Sequence, residues 1–195
     1  HTAIKRQFPI LFLSSDILYD FRESPQIRRK NLDHFAELIV KEYAQFQKKM
    51  ERIITQKNLL LKTTQDPTQI QFWNAQFVDI SYEIVKIRLQ AIELMQSQVN
   101  ILIEQMELPV IPYPLSIRYK PSIPIQNWEE YPHKLSEVLQ LNLQKECIVG
   151  HTLYGPHRDD FVIESDNRSI FEFCSRGINK TISFLLTLGQ SDLIY

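Results

Sequence analysis

The stretch Phe173-Cys-Ser-Arg-Gly-Ile-Asn-Lys-Thr181 sets a hydroxyl, a glycine and two cations at the head of an amphipathic run. Ile178, Ile182, Leu185, Leu186 and Leu188 recur at helical spacing behind Ser175 and Gly177. A helix begun there would turn backbone N–H groups, the Ser175 hydroxyl and the Arg176 and Lys180 side chains toward one point. The positive end of its dipole would favour an anion. The same residues also suit a structural role, with Ser175 as an ordinary cap and Gly177 allowing close packing. Both readings stay open on this stretch alone.

Gly150-His-Thr-Leu-Tyr-Gly155 has the glycine spacing of a Walker A loop, but Pro156-His157 stand where that loop needs Lys and then Ser or Thr. The cation for the β- and γ-phosphates and the magnesium hydroxyl are both missing from it. No Walker B strand follows the last helix within the chain. Gly155-Pro-His-Arg-Asp-Asp-Phe161 is the segment densest in functional groups. His157, Asp159 and Asp160 lie too close together on an extended segment to point at one metal, so no metal site is expected. A Ser-His-Asp triad has no nucleophile elbow to support it. The plain alternative is a turn in which Asp159 or Asp160 pairs with Arg158 or caps backbone amides.

Cys147 and Cys174 form no Cys-x-x-Cys pair and read as reduced structural thiols of a cytoplasmic protein. No apolar run approaches the roughly 20 residues that span a bilayer, so no membrane association is expected. The first residues lack an initiator Met and the apolar core of a secretory signal, which suggests an excised segment of a longer chain. The net charge of −1 divides unevenly, with 12 Lys and Arg against 7 Asp and Glu over residues 1–64 and 10 against 16 thereafter. The basic third would contact a phosphate backbone or pair with the acidic segment that follows, and its admixed carboxylates favour pairing or plain solvation.

Phe8 to Leu13 reads as a buried strand. From Ser24-Pro25, a cap residue followed by Pro at the first helical position, apolar residues recur at Leu32, Phe35, Ile39, Tyr43, Phe46, Met50, Ile53 and Leu60, with Lys57 as the one polar break. This predicts a single helix of about 38 residues. A second long helix begins near Thr68, carries Ile70, Trp73, Phe77, Ile80, Ile84, Ile87, Ala91, Leu94 and Ile101 on one face, and stops before Pro109. The short link at residues 64–67 makes the pair antiparallel, a coiled-coil-like hairpin. Five prolines between positions 109 and 124 leave one short edge strand around residues 114–119. A helix over residues 132–147 follows, with Leu135, Val138, Leu139, Leu141 and Leu143 as its apolar surface. Two strand segments between Tyr154 and Ile163 and a turn at Asp166-Asn167 lead to the last helix. The expected class is mixed α/β, with the long hairpin inserted as an arm or lid domain between strand-bearing flanks.

Four ordered blocks resemble the RecF family of DNA repair ATPases, relatives of SMC and ABC-type ATPases. They are Phe12-Leu-Ser-Ser-Asp16-Ile17, Ser24-Pro25 with Arg28-Arg29 and Leu32-Asp33, Tyr154-Gly-Pro-His-Arg-Asp-Asp-Phe161, and Ser175-Arg176-Gly177 with Lys180. The third resembles the family's G-P-H-R-D-D segment and the fourth its S-R-G-Q-Q-K signature, from which Ile178 and Asn179 depart. The resemblance implies part of an ABC-type ATPase head at residues 1–23, a helical arm at 24–108, a strand and helix completing the arm domain at 109–150, and a signature lobe at 151–195. It implies a protein that binds ATP and magnesium between two head domains and closes a homodimer on DNA at single-strand to double-strand junctions. Such a protein works with RecR, RecO and RecA in recombinational gap repair, replication and the SOS response.

On that reading Ser175, Arg176, Gly177 and Lys180 meet the nucleotide of another subunit. Arg158, Asp159 and Asp160 support the adjoining surface. The full-length protein would be a slow DNA-dependent ATPase, and this chain alone, without Walker A and Walker B, is expected to be inactive and to hold no cofactor. The competing readings are a non-enzymatic coiled-coil-type interaction module and another SMC-like ATPase. The latter calls for a far longer coiled coil with a hinge or a zinc hook.

Overall fold

The computed structural model describes residues 24–64, 66–112 and 114–189. The strand expected at Phe8 to Leu13, the block Phe12 to Ile17 and the proposed head segment 1–23 lie outside the described residues. Helix α1 spans Pro25–Ile39, α2 Tyr43–Lys62 and α3 Pro67–Gln105; strand β1 is Ser116–Lys120. A short 3-10 turn at Trp128–Glu130 precedes α4 at Tyr131–Leu141 and α5 at Leu143–Val149. Strands β2 (Asp160–Ser165) and β3 (Arg168–Ser169) lead to α6 (Ile170–Phe173) and α7 (Arg176–Leu188). The chain is mixed α/β and helix-rich, with one three-stranded sheet in the order β1-β2-β3 among the described residues. These elements divide into two compact units. Of the described residues, one holds those within 24–39, 90–119 and 161–189, and the other those within 40–89 and 120–160.

In the first unit α1 starts as its sequence suggests. Ser24 Oγ accepts from the Ile27 amide at 3.4 Å, ahead of Pro25 at the first helical position. Strand β1 is docked on α3 by two side chains. Asn100 bonds both the amide and the carbonyl of Leu115, at 2.9 and 2.8 Å, and Gln96 Oε1 accepts from the Ile117 amide at 2.8 Å. Strands β2 and β3 pair antiparallel with Ser165 opposite Arg168. Asp166 and Asn167 make the turn at φ 50° and 60°, the left-handed pair that a two-residue hairpin uses. Leu32, Phe35, Val99, Phe161, Ile163, Ile170, Ile182 and Leu185 are buried here.

In the second unit α2 and the first part of α3 run antiparallel. Tyr43, at the start of α2, meets Arg88 late in this stretch of α3, and Lys57, near the end of α2, lies 5.7 Å from the Phe77 ring near its beginning. The link between them ends in a cap. Asp66 accepts from the Thr68 amide and the Gln69 side chain, both at 2.9 Å, ahead of Pro67. Tyr43, Ile53, Leu61, Ile70, Phe77, Ile84, Tyr131, Leu135 and Leu139 fill the core.

Several expectations need correction. The first long helix is two helices, broken at Val40–Glu42 where the chain leaves one unit for the other. No Gly or Pro marks that break, and the steps of three and four run straight through it. On α3 the expected stripe is buried from Ile70 to Ala91 apart from the half-buried Trp73, but Leu94 and Ile101 are 37% and 41% exposed. Ile92, Met95, Val99 and Ile103 are buried instead, a face rotated at the residue where α3 passes from one unit to the other. The helix expected over 132–147 is interrupted at Asn142, whose backbone and side-chain amides both return to the Val138 carbonyl. Leu141, expected to pack, is 83% exposed. The first strand segment expected near Tyr154 is a series of turns, and strand begins only at Asp160.

Candidate functional site

Helix α7 begins as its sequence suggests. Ser175 has extended φ and ψ, and its hydroxyl accepts from the Ile178 amide at 3.3 Å, so it is the N-cap. Ser175, Arg176, Gly177 and Lys180 are all exposed. A Cβ built on Gly177 would meet nothing nearer than Ser175 Oγ at 3.8 Å, and φ there is not left-handed. Neither a turn nor close packing therefore asks for glycine at this position among the described residues. The capping half of the structural reading is realised, and the packing half is not.

Asn179 behaves otherwise than its sequence position suggests. It is buried, and its side-chain amide donates to the carbonyls of Cys174 and Ser175, each at 3.1 Å. Its side chain thus ties down the two residues that enter the helix. Burial pushes the Cys174 thiol up from its ordinary value. Behind the first turn, Ser183 and Thr187 return their hydroxyls to the carbonyls of Asn179 and Ser183 at 2.9 Å, which satisfies polar groups on a buried face.

Residues Gly155 to Asp160 of the Gly155 to Phe161 segment lie in the other unit and are built into its frame. Gly155 takes φ 122°, and a Cβ there would fall 2.5 Å from Cζ of the buried Phe77 ring. Its amide donates to Ser122 Oγ at 2.8 Å, while the Ser122 amide donates to Asp159 Oδ1 at 2.7 Å. Asp159 is buried and caps a backbone amide, as the turn reading anticipates. His157 Nε2 donates to the Thr152 carbonyl at 3.1 Å, and its ring stands edge-on to Phe77. Arg158 is exposed and Asp160 half-buried at the start of β2. No group of three His, Cys, Asp or Glu that could hold a metal occurs among the described residues. No described helix is long and apolar enough to cross a membrane.

Four buried polar residues around this segment were given no role by the sequence reading. Arg88 is 1% exposed and donates to Tyr43 Oη at 3.1 Å and to the Pro156 carbonyl at 2.6 Å. Lys57, the polar break in the α2 stripe, is fully buried in a 2.8 Å ion pair with Glu146, whose other oxygen accepts from the Leu153 amide. Burial pushes the Lys57 ammonium below its ordinary value, against the pull of Glu146. Tyr131 is buried with no hydrogen-bond partner for its hydroxyl among the described residues; burial and the neighbouring Asp159 hold it well above the ordinary phenol range, against Arg88. The stripe break at Lys57 was the one visible signal of this network.

No protein-family model matches the chain. Among solved structures, that of the recombination mediator protein RecF-ATP in the RecFOR pathway aligns with a TM-score of 0.82 at 22% identity, over 93% of this chain and 50% of that one. The corresponding RecF-ATPrS structure aligns at 0.83 over the same shares. The chain therefore shares the fold of the matched half of those structures. Two relatives called DNA replication and repair protein RecF carry the comparison to sequence. The Bacillus cytotoxicus protein is 30% identical over 183 residues, 88% of this chain and 47% of its own length. The Bacillus mycoides protein is 30% identical over 185 residues, 88% and 48%. In sequence and in fold the chain is similar to a fragment of a RecF protein, and it spans about half the length of these curated relatives.

Proposed function

We propose that this chain is the arm and signature-bearing part of a RecF-like repair ATPase, which presents the start of α7 to the γ-phosphate of ATP held by a second subunit. The observation that carries the reading is Gly177. It sits exposed at the second position of α7, where a Cβ would meet only Ser175 Oγ, at an ordinary contact distance of 3.8 Å. A glycine there lowers helix stability relative to alanine by roughly 0.5–1 kcal/mol, with no packing return among the described residues. It leaves room for a ligand to approach the backbone amides. The first amides of a helix lack intrahelical acceptors, and the Ser175 hydroxyl, while accepting from Ile178, still has its own proton to donate.

In this reading Arg176 and Lys180 supply charge beside the phosphate. Arg158, Asp159 and Asp160 act at one remove, Asp159 by fixing the Ser122 loop. ATP with magnesium would supply the anionic γ-phosphate that bridges two subunits. This chain's part is to donate hydrogen bonds to it and exclude water from it. The antiparallel α2–α3 pair serves as the arm or lid, with 1–23 and 151–195 in the head, 24–108 in the arm and 109–150 completing the arm domain. The wider role is a cytoplasmic one at single-strand to double-strand DNA junctions, as an ATP-closed homodimer acting with RecR, RecO and RecA and serving the SOS response.

The test is Ser175→Arg in a protein carrying this chain together with Walker A and Walker B segments. ATP-driven dimerisation in sedimentation is expected to vanish while the melting temperature holds, and unchanged dimerisation would refute the assignment. The chain alone is expected to release no phosphate from ATP. The interaction-module reading draws on Leu141, Ile148 and Phe72, which are 83%, 86% and 62% exposed. A gene lacking a GxxxxGK[ST] upstream and an acidic Walker B downstream would favour it.

A further inference from the structure

The first unit contains an open groove of about 870 Å³ formed where the end of α3 faces the β2–β3 turn and α6. Its floor is apolar, from Ile103, Leu108, Ile111 and Phe173. Its rim carries the exposed carboxylates of Glu104, Glu107 and Asp166. None of the three is ion-paired among the described residues. The one lining cation, Arg168, has its guanidinium 5.1 Å from the centre of the Phe173 ring.

The walls are fixed backbone. Helix α3 ends in a wrap in which the Leu108 amide reaches the Ile103 carbonyl at 3.4 Å and Glu107 takes φ 46°. Glycine is the usual residue at that left-handed position; here the chain tolerates the strain and keeps a carboxylate. Asp166 and Asn167 hold φ 50° and 60° on the facing side. Two of the three non-glycine residues with left-handed φ among the described residues, Glu107 and Asp166, therefore line this groove, and such strain persists where surrounding structure enforces it.

From this combination we infer that the groove is a docking site for a basic, apolar-anchored peptide segment of a partner protein. Apolar residues of the segment fill the floor over Phe173 and Ile111, and its Lys or Arg side chains reach the three carboxylates. An acidic segment would meet like charge, so charge complementarity chooses the partner and sets its rate of approach. Phe173 closes α6 two residues ahead of Ser175, so the groove wall and the start of α7 belong to one short stretch of chain.

The experiment measures fluorescence anisotropy of a short labelled peptide of alternating Lys and Leu, with a Glu-Leu peptide of the same length as its counterpart. The Lys-Leu peptide is expected to bind and to weaken as salt rises, and the Glu-Leu peptide to bind at least about tenfold more weakly. Glu104→Lys with Glu107→Lys should weaken the first by about tenfold or more, whereas Glu51→Lys with Glu93→Lys, an equal charge change at exposed sites elsewhere, should leave it unchanged. Methyl NMR shifts at Ile103, Leu108 and Ile111 report the apolar half without any substitution there. Equal losses in both double variants would show attraction to net charge alone and overturn the proposal, as would no loss in the groove variant. Self-association of the chain that the groove variant abolishes would overturn it too, because the occupant would then be a second copy.

Discussion

Gly155→Ala tests whether the Gly155 to Phe161 segment is architecture. Two separate costs fall on the new methyl group. At φ 122° an L side chain is strained by its own backbone, which costs about 1–3 kcal/mol. The methyl carbon would also stand 2.5 and 2.8 Å from Cζ and Cε1 of Phe77. That ring is fully buried, edge-on to His157 and beneath the Lys57 ammonium, so it has little room to retreat. Overpacking of this kind costs about 1–3 kcal/mol. The sum, about 2–6 kcal/mol, is a large part of the 5–15 kcal/mol that ordinarily separates folded from unfolded chains. Urea unfolding should show the unfolding free energy falling by that amount, read as a lower midpoint with the slope unchanged. Adding Phe77→Leu should return the overlap cost but not the backbone cost, giving a coupling of about 1–3 kcal/mol between the two sites. A loss below about 1 kcal/mol for Gly155→Ala, or strict additivity in the pair, would refute the steric account.

Glu146→Ala should destabilise by about 3–5 kcal/mol, because Lys57 would stay buried without its carboxylate. Lys57→Met with Glu146→Leu should recover most of that loss in the same unfolding assay. Gly177→Ala should raise the stability of the chain by about 0.5 kcal/mol and, on the proposed reading, weaken ATP-driven dimerisation of a protein that carries this chain with Walker A and Walker B segments; a gain in both would count against the phosphate site. Hydrogen bonding to Arg118 holds the Glu164 carboxyl below its ordinary value of 4.5. The pair's stabilisation is thus complete above that value and lost as pH falls through the lower folded one, by less than about 1 kcal/mol for so exposed a pair. Melting temperatures across that acid window should fall more steeply for the parent than for Arg118→Ala.

Local chemistry was legible wherever one stretch of chain decides the outcome. Ser24-Pro25, Ser175 and Asp166-Asn167 act through their own backbone neighbours, so their cap and turn roles could be read directly. The second long helix was legible for the same reason, through its uninterrupted period from Pro67. The break at Val40–Glu42 was not, because it arises where the chain changes units while the apolar spacing continues. The rotation of the buried face of α3 past Ala91 has the same origin. At the candidate site the helix start and its exposed residues were visible, but the inward turn of Asn179 was not, since an amide can serve a ligand or its own backbone equally well. The Gly155 to Phe161 segment drew attention by its density of functional groups. Its described bonds go to Ser122, Thr152 and Arg88, partners too distant along the chain, Thr152 apart, for spacing to reveal.

Lys57 interrupts an otherwise apolar face, and that interruption limits how α2 can slide. Apolar side chains spaced three and four apart present similar surfaces after a shift of one turn, about 5.4 Å, so a wholly greasy stripe tolerates more than one alignment. A buried ammonium does not. After such a slip it would face hydrocarbon rather than Glu146, a penalty of several kcal/mol, while Glu146 would lose the cation it meets at 2.8 Å. One ion pair therefore favours a single setting of α2 along α5, as a tooth does in a ratchet, and any motion that slides α2 along α5 must first part Lys57 from Glu146.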